Sequence, residues 1–304
     1  METLVIGIGG NAISRPYSEW VLSRGAGMER VAMGIAEASK GRRLIVTHGN
    51  GPQVGEELER NERASSQIPE LPLYQLNAET QAVIGTLLEK WLLKGLERLR
   101  INKGACTMLT HVAVSGNDSG FSHPTKPIGP FMSAKELAAE RKFGKFNYIH
   151  NKRGYRKVVA SPRPVSILEY REIFELSKHN IVIACGGGGI PVIRDGRSYR
   201  GADAVIDKDR TTSLLAGQVG AKRMVLLTDT DYVYMDYESK TNALRSVRTR
   251  KLKRILSRFE DGSIRPKLEA CIDFIENGGR EAYIGNIFHL KDILAGRSGT
   301  KIMG

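Results

Sequence analysis

The chain has 304 residues, of which 41% are hydrophobic, so it is long enough to bury one or two substantial cores. It contains no apolar run long enough to span a membrane, and its first residues lead directly into a strand pattern, so we expect neither a membrane anchor nor a signal peptide. The formal net charge of +13 fits a nucleic-acid partner, an anionic small substrate or a purely solubilising surface, and charge alone does not choose among these.

The cysteines indicate a reducing compartment. Cys106, Cys185 and Cys271 are widely spaced and each lies in an apolar context. This is typical of reduced core thiols and favours a cytoplasmic location. Neither these cysteines nor the six histidines have the spacing of zinc ligands, and we predict no metal site built from protein side chains.

Strand and helix patterns alternate along the chain. Short β-branched runs predict strands, and apolar residues three and four positions apart predict helices. The predicted strands cover residues 3–8, 42–47, 106–114, 181–183, 224–228, 282–284 and 300–302. The predicted helices cover residues 28–39, 53–63, 78–96, 168–178, 214–219, 249–259 and 267–276. This alternation predicts an α/β fold with a mainly parallel sheet covered by helices on both faces.

Three predicted strands end in glycine-rich loops. Residues 4–11 read LVIGIGGN, residues 44–52 read LIVTHGNGP, and residues 181–191 read IVIACGGGGIP. Glycine lets a backbone approach a ligand closely, and α/β proteins bind ligands at the carboxyl ends of their strands. Separate tight turns are the alternative, but three such loops together favour one phosphate or carboxylate site.

The pattern changes between residues 117 and 164, where apolar periodicity weakens and Gly, Pro, Lys and Arg accumulate. Residues 141–157 interleave basic residues with aromatic ones, which is one pattern of nucleic-acid binding. A solvated lid over an anionic substrate is the simpler interpretation. We therefore predict a segment that projects from the sheet, and we do not expect a nucleic-acid partner.

Two standard nucleotide-binding motifs bear on the class of enzyme. The P-loop pattern GxxxxGK[ST] is absent, which argues against a P-loop kinase. Residues 7–12 fit the dinucleotide pattern GxGxxA, but the second strand ends in Thr47 and His48 rather than in the acid that would bind a ribose. A dehydrogenase is therefore only a minor alternative.

Three lysines lie where phosphoryl transfer would use them, since that reaction needs cations near the moving phosphate. Lys126 lies in the proline-braced segment PTKPIGP, and Lys208 lies between Asp207 and Asp209 at a helix start. An acidic helix cap with a bystander lysine is the alternative at that second position. Lys267 follows a proline at another helix start, where the helix dipole disfavours a cation unless an anion is bound nearby.

These segments together resemble the carbamate kinases of the amino acid kinase family, and the resemblance extends over the whole chain. Its motifs are GGNA from Gly9, THGNGPQVG from Thr47, PTKPIGPF from Pro124, GGGGIPV from Gly186, AVIDKD from Ala204, TDTDYVY from Thr228, PKLEA from Pro266 and GTKI from Gly299. The segments from Thr47 and Pro124 are specific to carbamate kinases rather than to the wider family.

The resemblance implies an α/β fold, a three-layer αβα sandwich with a mainly parallel open sheet, two lobes and a protruding lid. Residues 1–216 would form the carbamoyl and phosphoryl-acceptor lobe, with the lid at 117–164, and residues 217–304 would form the nucleotide-binding lobe. Carbamate kinases interconvert carbamoyl phosphate plus ADP with carbamate plus ATP, using Mg²⁺. The resemblance also implies a cytoplasmic homodimer that acts in arginine metabolism.

Site residues transfer by motif. Lys126, Lys208 and Lys267 would act on the phosphates, and Asp209 would orient the last two. The remaining expected residues would bind substrate or phosphate through the glycine loops, or would lie along the nucleotide. The first group is Gly9, Gly10, Asn11, Gly49, Asn50, Gly51, Gly187 and Gly188, and the second is Thr228, Asp229, Asp231 and Tyr234.

The chain departs from the family pattern at three positions. Ser115 stands where an acid is common, His111 replaces a glutamine, and Arg265 replaces a glycine beside the expected phosphate path. Two alternatives to a carbamate kinase stay open from sequence. One is a related kinase acting on another small carboxylate or phosphate, and the other is a catalytically idle nucleic-acid-binding protein on the same fold.

Overall fold

The computed structural model describes residues 1–9, 26–141, 146–151, 153–236, 238–259 and 264–304. The α-helices in these ranges are α1 (Ala26–Ala38), α2 (Gly51–Ala64), α3 (Leu73–Arg98), α4 (Ser119–Ser122), α5 (Ala134–Glu140), α6 (Tyr170–Leu176), α7 (Lys208–Gln218), α8 (Thr249–Ile255), α9 (Arg265–Glu276) and α10 (Leu290–Leu294). Short 3₁₀ turns cover Gly186–Gly188, Leu256–Arg258 and Ile287–His289.

The strands in these ranges belong to four sheets. They are β1 (Glu2–Ile8), β2 (Arg42–His48), β3 (Gly104–Thr107), β4 (His111–Val114), β5 (Lys126–Met132), β6 (Asn147–Asn151), β7 (Gly154–Val159), β8 (Pro164–Ile167), β9 (Asn180–Ile183), β10 (Ile190–Asp195), β11 (Ser198–Gly201), β12 (Arg223–Thr228), β13 (Val233–Asp236), β14 (Thr241–Leu244), β15 (Ser246–Arg248), β16 (Glu281–Asn286) and β17 (Thr300–Met303).

The largest sheet has eight strands in the order β15-β17-β16-β12-β1-β2-β9-β3. The strands from β16 to β3 run parallel to one another. β17 pairs antiparallel with β16, and β15 pairs parallel with β17. The predicted mainly parallel sheet is confirmed, and the carboxyl ends of its central strands meet at one edge.

Helices cover both faces of this sheet, because the side chains of successive strand residues point to opposite sides. Leu4 and Ile6 of β1 pack with buried residues of α1, α3 and α10. Val5 packs on the other side with buried residues of α6, α7, α8 and α9. The three-layer αβα arrangement is therefore confirmed. No helix within the described ranges combines the length and apolar character needed to span a membrane.

Three smaller sheets complete the fold. One has the order β11-β10-β4-β8, another is the hairpin of β13 and β14, and the third has the order β5-β7-β6. The single strand predicted over 106–114 was wrong, because the chain leaves the main sheet after Thr107 and enters the second sheet at His111. The helix predicted over 249–259 ends at Ile255 and continues only as a 3₁₀ turn.

The antiparallel sheet of β5, β7 and β6, which we call the lid sheet, belongs to the projecting segment predicted from sequence. It packs tightly against α2, and a Cβ added at Gly55 would lie only 2.1 Å from the Cα and N atoms of Gly129. The Lys157 ammonium also lies 2.6 Å from Glu62 of α2 and 3.4 Å from Glu140 of α5. The lid sheet is therefore held against α2, the helix that begins in the glycine loop after β2.

All three cysteines are free thiols. Cys185 and Cys271 are buried, and burial raises the pKa of each well above its ordinary value. Cys106 on β3 is half-buried, and burial raises its pKa as well. These placements agree with the prediction that the cysteines are core thiols.

Candidate active site

The glycine loops after β1, β2 and β9 meet in one cleft, as their positions in the sequence predict. Gly9, Gly49, Asn50, Gly51 and Gly187 all line this cleft. The lid sheet contributes Lys126 and Arg156, and the segments before and within α7 and α9 contribute charged residues. Gly10 and Asn11, also predicted here, lie outside the described residues.

The tetraglycine loop uses its conformational freedom to pack against its neighbours. Gly187 and Gly188 have φ angles of 63° and 94°, and Cys185 just before them has 52°. A Cβ at Gly187 would lie 2.1 Å from the Asn50 side chain, and one at Gly188 would lie 2.3 Å from the Ile206 carbonyl oxygen. A side chain would clash at either position, and of these two predicted site residues Gly187 lines the cleft whereas Gly188 is not among its lining residues.

The Asn50 side chain supports the glycine loops of the cleft from inside the protein. Its amide donates to Asn77 Oδ1 at 2.5 Å and to Thr80 Oγ1 at 2.8 Å, both on α3. Asn77 in turn donates to the carbonyl of Gly189 at 2.7 Å. This chain of amides ties two glycine loops to α3. The backbone after Asn50 begins α2, and free N–H groups at a helix start are suited to bind an anion.

Three lysines and two aspartates meet at the charged side of the cleft. Lys208 lies 2.5 Å from Asp209 Oδ1, and Lys267 lies 3.1 Å from Asp209 Oδ2. Lys126, from the lid sheet, lies 2.5 Å from Asp207 Oδ2. The predicted orienting role of Asp209 thus has a geometric basis, since one carboxylate holds two ammonium groups from two different helices.

Burial and charge act in opposite directions on these groups. Burial raises the pKa of the Asp209 carboxyl, but the attraction of Lys208 and Lys267 outweighs it and leaves the pKa below its ordinary value. Burial lowers the pKa of Lys208 despite the attraction of Asp209, whereas for Lys267 the attraction of Asp209 outweighs burial and the pKa is raised. The carboxylates are therefore held ionised among buried cations.

Sequence reasoning missed the part that Asp207 plays. It is the N-cap of α7, accepting from the N–H groups of Asp209 at 2.9 Å and Arg210 at 3.3 Å, as the helix-cap alternative predicted. Its other oxygen binds Lys126 of the lid sheet. Burial raises the pKa of Asp207, but Lys126, Lys267 and Lys208 together lower it well below its usual range.

The sequence also did not indicate that Arg156 lines the cleft, because its neighbours identify only a basic stretch. It lies on β7 and lines the cleft, and its Nε donates to the Gly129 carbonyl at 3.0 Å. The available signal was strand alternation, because successive side chains of β7 point to opposite faces of the lid sheet. Lys157 pairs with Glu62 on one face, so Arg156 belongs to the other.

The residues expected to bind the nucleotide are more widely separated than the lysines and aspartates of the cleft. Thr228 lines the cleft at the end of β12, and Asp229 is close enough to raise the pKa of Lys267. Asp231 accepts from the Asn286 amide at 2.9 Å and lies 3.2 Å from His289. Tyr234 lies on the hairpin strand β13, edge-on to Tyr232, and is not among the cleft-lining residues.

His48 ends β2 directly behind the cleft. It is buried, and its Nε2 faces Gly186, where an added Cβ would approach within 2.4 Å. Burial lowers its pKa to about 4, although a hydrogen bond with the Gly49 carbonyl opposes this effect. His48 is therefore neutral near pH 7 and adds no charge to the cleft.

The departures from the family pattern lie outside the lysine cluster. His111 binds Glu169 at 2.7 Å, and this bond raises its pKa. Arg265 lies 3.2 Å from Glu269, which also pairs with Arg210 at 3.2 Å. Ser115 is an exposed residue after β4, where its hydroxyl accepts from the Asn117 backbone.

Comparisons with known proteins agree with this architecture. The sequence profile of the amino acid kinase family matches residues 2–286. The chain is 38% identical over 311 residues to a carbamate kinase of Staphylococcus haemolyticus and 37% identical to carbamate kinase 3 of Staphylococcus aureus, covering 99% of both chains in each case.

Solved structures show the same similarity. The carbamate kinase of Giardia lamblia bound to citric acid matches with a TM-score of 0.92 at 32% identity, covering 99% of this chain and 98% of that one. The same enzyme bound to AMP-PNP matches with a TM-score of 0.88 over the same shares. The chain described here belongs to the amino acid kinase family, and within it to the carbamate kinases.

Proposed function

We propose that this protein transfers a phosphoryl group reversibly between carbamoyl phosphate plus ADP and carbamate plus ATP, using the cleft described above. The observation that carries the proposal is the convergence of Lys126, Lys208 and Lys267 on two aspartates beside three glycine loops. The names of the staphylococcal and Giardia relatives support the choice of carbamate as substrate.

Each charged group has a proposed task. Phosphoryl transfer requires little covalent help from protein, so catalysis rests on positioning and on neutralising negative charge. Lys208 and Lys267 neutralise the transferring phosphoryl group, and Asp209 fixes both ammonium groups so that they need not reorganise during the reaction. Lys126 approaches the same group from the lid sheet.

The two substrates occupy opposite ends of the cleft in this proposal. Residues 1–216 provide the glycine loops for the carbamoyl group, with the lid at 117–164, and residues 217–304 provide the nucleotide side. Thr228 ends β12 and Asp229 follows it; in this proposal both lie nearest the phosphates, while Asp231 and Tyr234 lie further along the nucleotide. An AMP-PNP complex of the Giardia relative supports the use of ADP and ATP.

We propose that Mg²⁺ enters with the nucleotide. In the described residues, no group of three or more His, Cys, Asp or Glu side chains forms a metal site. The cleft carboxylates Asp207 and Asp209 are each engaged by lysines. Mg²⁺ in kinases is usually bound by substrate phosphates, water and one or two carboxylates, and it would supply further charge neutralisation here.

The remaining expectations stay proposals. A homodimer rests on the likeness to carbamate kinases, and α3, which exposes Val83 and Leu93, is the helix that we expect to contribute to it. A cytoplasmic location is supported by three free cysteines, and a place in arginine metabolism rests on the likeness to carbamate kinases alone.

The test is ATP formation by the purified protein from ADP and carbamoyl phosphate, with acetyl phosphate as the comparison substrate. We expect carbamoyl phosphate to be strongly preferred and Lys267→Met to be inactive while still folded. Preference for acetyl phosphate would indicate a related kinase instead. Tight, salt-sensitive binding of a labelled oligonucleotide without ATP formation would indicate the nucleic-acid-binding alternative.

A further inference from the structure

A second cavity lies along α7 and α9 and extends from Arg210, in the first turn of α7, to Gln218 at its end. Ser213 and Gly217 of α7 form one wall, and Asp273 of α9 and Asn277, which directly follows α9, form another. Arg163 lies at the third wall, in the connection between β7 and β8. The same two helices carry Asp209 and Lys267 at their starts, so this cavity and the catalytic cleft share their walls.

The third wall is the base of the lid segment. The Arg163 backbone N–H donates to Asp118 Oδ2 at 3.0 Å, and the other oxygen of Asp118 accepts from Gly120 at 2.7 Å. Asp118 and Arg163 each lie one residue inside an end of the lid segment, so this carboxylate ties its two ends together. A molecule in the cavity would therefore contact the base of the lid as well as both helices.

A chain of ion pairs lies between the cavity and the cleft. Arg210, which also lines the cavity, directly follows Asp209 and binds Glu269 of α9 at 3.2 Å. Glu269 also binds Arg265, two positions before Lys267, at 3.2 Å. A change in the separation of α7 and α9 at the cavity would therefore also change the separation of their first turns, which carry the catalytic charges.

The cavity is lined by opposite charges that lie on different elements of the fold. Asp273 carries the negative charge, and Arg163 and Arg210 carry the positive charges. The two arginines act electrostatically on the Asp273 carboxyl, yet within the described residues no ion pair or hydrogen bond to that carboxylate is formed. The opposed charges are thus near one another but separated, which leaves room for a small molecule that bears both signs.

We propose that this cavity is an effector site for a small zwitterion, a free amino acid, that bridges Arg163 and Arg210 with its carboxylate and Asp273 with its ammonium group. Such a ligand would hold the base of the lid against both helices. It would thereby favour the arrangement in which Lys126 reaches the cleft, because a ligand stabilises the conformation that it binds best. The bound effector should raise the apparent affinity for carbamoyl phosphate.

Binding is tested by calorimetry on the full chain, with L-alanine, L-glutamine and L-arginine as probes and with acetate and ethylammonium as half-molecule controls. We expect at least one amino acid to bind with a Kd below about 10 mM and both halves to bind at least about tenfold more weakly, since each lacks one charged contact. Asp273→Asn should weaken the amino acid by about tenfold as well.

A cavity-filling variant provides a second test that does not depend on charge. A Cβ at Gly217 would meet no atom within 4 Å, so Gly217→Met should fill the cavity without disturbing α7 and should abolish binding. Gly34→Met is the matched control, because Gly34 is also helical, has no atom within 4 Å of an added Cβ, and lies on α1. Failure of all three amino acids to bind, or equal binding by wild type and Gly217→Met, would overturn the proposal.

The effector role is tested by kinetics at saturating ADP. The amino acid that binds should lower the KM for carbamoyl phosphate at least about threefold in wild type and in Gly34→Met, but not in Gly217→Met. Binding with an unchanged KM would refute the effector role. Calorimetry requires no turnover, so its result can be read even if the carbamate kinase assay itself were to fail.

Discussion

Gly55→Ala tests whether the lid sheet is positioned by its contact with α2. The added Cβ would lie 2.1 Å from both the Cα and N of Gly129, and neither backbone atom can rotate away. Carbon atoms pack best at about 3.5–4.0 Å, so the two segments must separate by more than about 1 Å. Lys126 lies three residues before Gly129 on β5 and would be carried away from Asp207 with it.

Displacements of about 1 Å in a catalytic group can reduce rates by roughly a hundredfold, which corresponds to about 2.7 kcal/mol of activation free energy. We therefore expect kcat/KM for carbamoyl phosphate to fall about a hundredfold in Gly55→Ala, with a loss of folding stability of about 1–3 kcal/mol from overpacking. Steady-state kinetics beside a thermal melt measure both.

The control is Gly34→Ala, where an added Cβ meets no atom within 4 Å. This variant should keep wild-type kinetics and a wild-type or slightly higher melting temperature, because alanine favours a helix over glycine. If Gly55→Ala is folded and turns over carbamoyl phosphate like the wild type, then close packing of α2 on the lid sheet does not position Lys126.

Three further changes address the charges around the cleft. Asp209→Asn should lower turnover by about a hundredfold or more, because it releases two lysines from their fixed positions; steady-state rates equal to wild type would reduce Asp209 to a structural role. Lys126→Met should lower turnover by a similar factor while calorimetric ADP affinity stays within about threefold, and an equal loss of ADP affinity would place Lys126 at the nucleotide instead. His48 has a pKa of about 4 in the folded protein against an ordinary 6.5, so the unfolded chain binds one more proton between these values and stability falls as the pH drops through that window. His48→Gln should remove about 3 kcal/mol of this pH dependence in urea melts from pH 7 to 4, and an unchanged slope would mean that other groups cause it.

Local sequence signals predicted the parts of the fold that depend on neighbouring residues. The β-branched run ending at Ile183 and the glycines after it identified both a buried strand of the main sheet and its loop. The helix predicted from residue 78 begins at Leu73 in the structure, directly after Pro72, because apolar periodicity alone does not locate a helix start.

Local sequence signals did not predict contacts between residues that are far apart along the chain. Asp207 and Lys126 are 81 positions apart, and no local pattern indicates that a helix-capping carboxylate also binds a lysine of the lid sheet. The break after Thr107 was missed for a similar reason, since the residues on both sides favour strands and only packing assigns them to different sheets. Tyr234 shares a motif with Thr228, but it lies on the hairpin strand β13 and is not among the cleft-lining residues.

The three free thiols have a use beyond packing. Alkylating reagents attack thiolates, so a buried thiol with a raised pKa reacts only when the structure around it opens. Cys185 lies at the base of the tetraglycine loop and Cys271 lies in α9, while Cys106 is half-buried on an edge strand and serves as the reference. Mass spectrometry of alkylated peptides would therefore report separately how often the glycine loop and α9 open in the native protein, without any introduced cysteine.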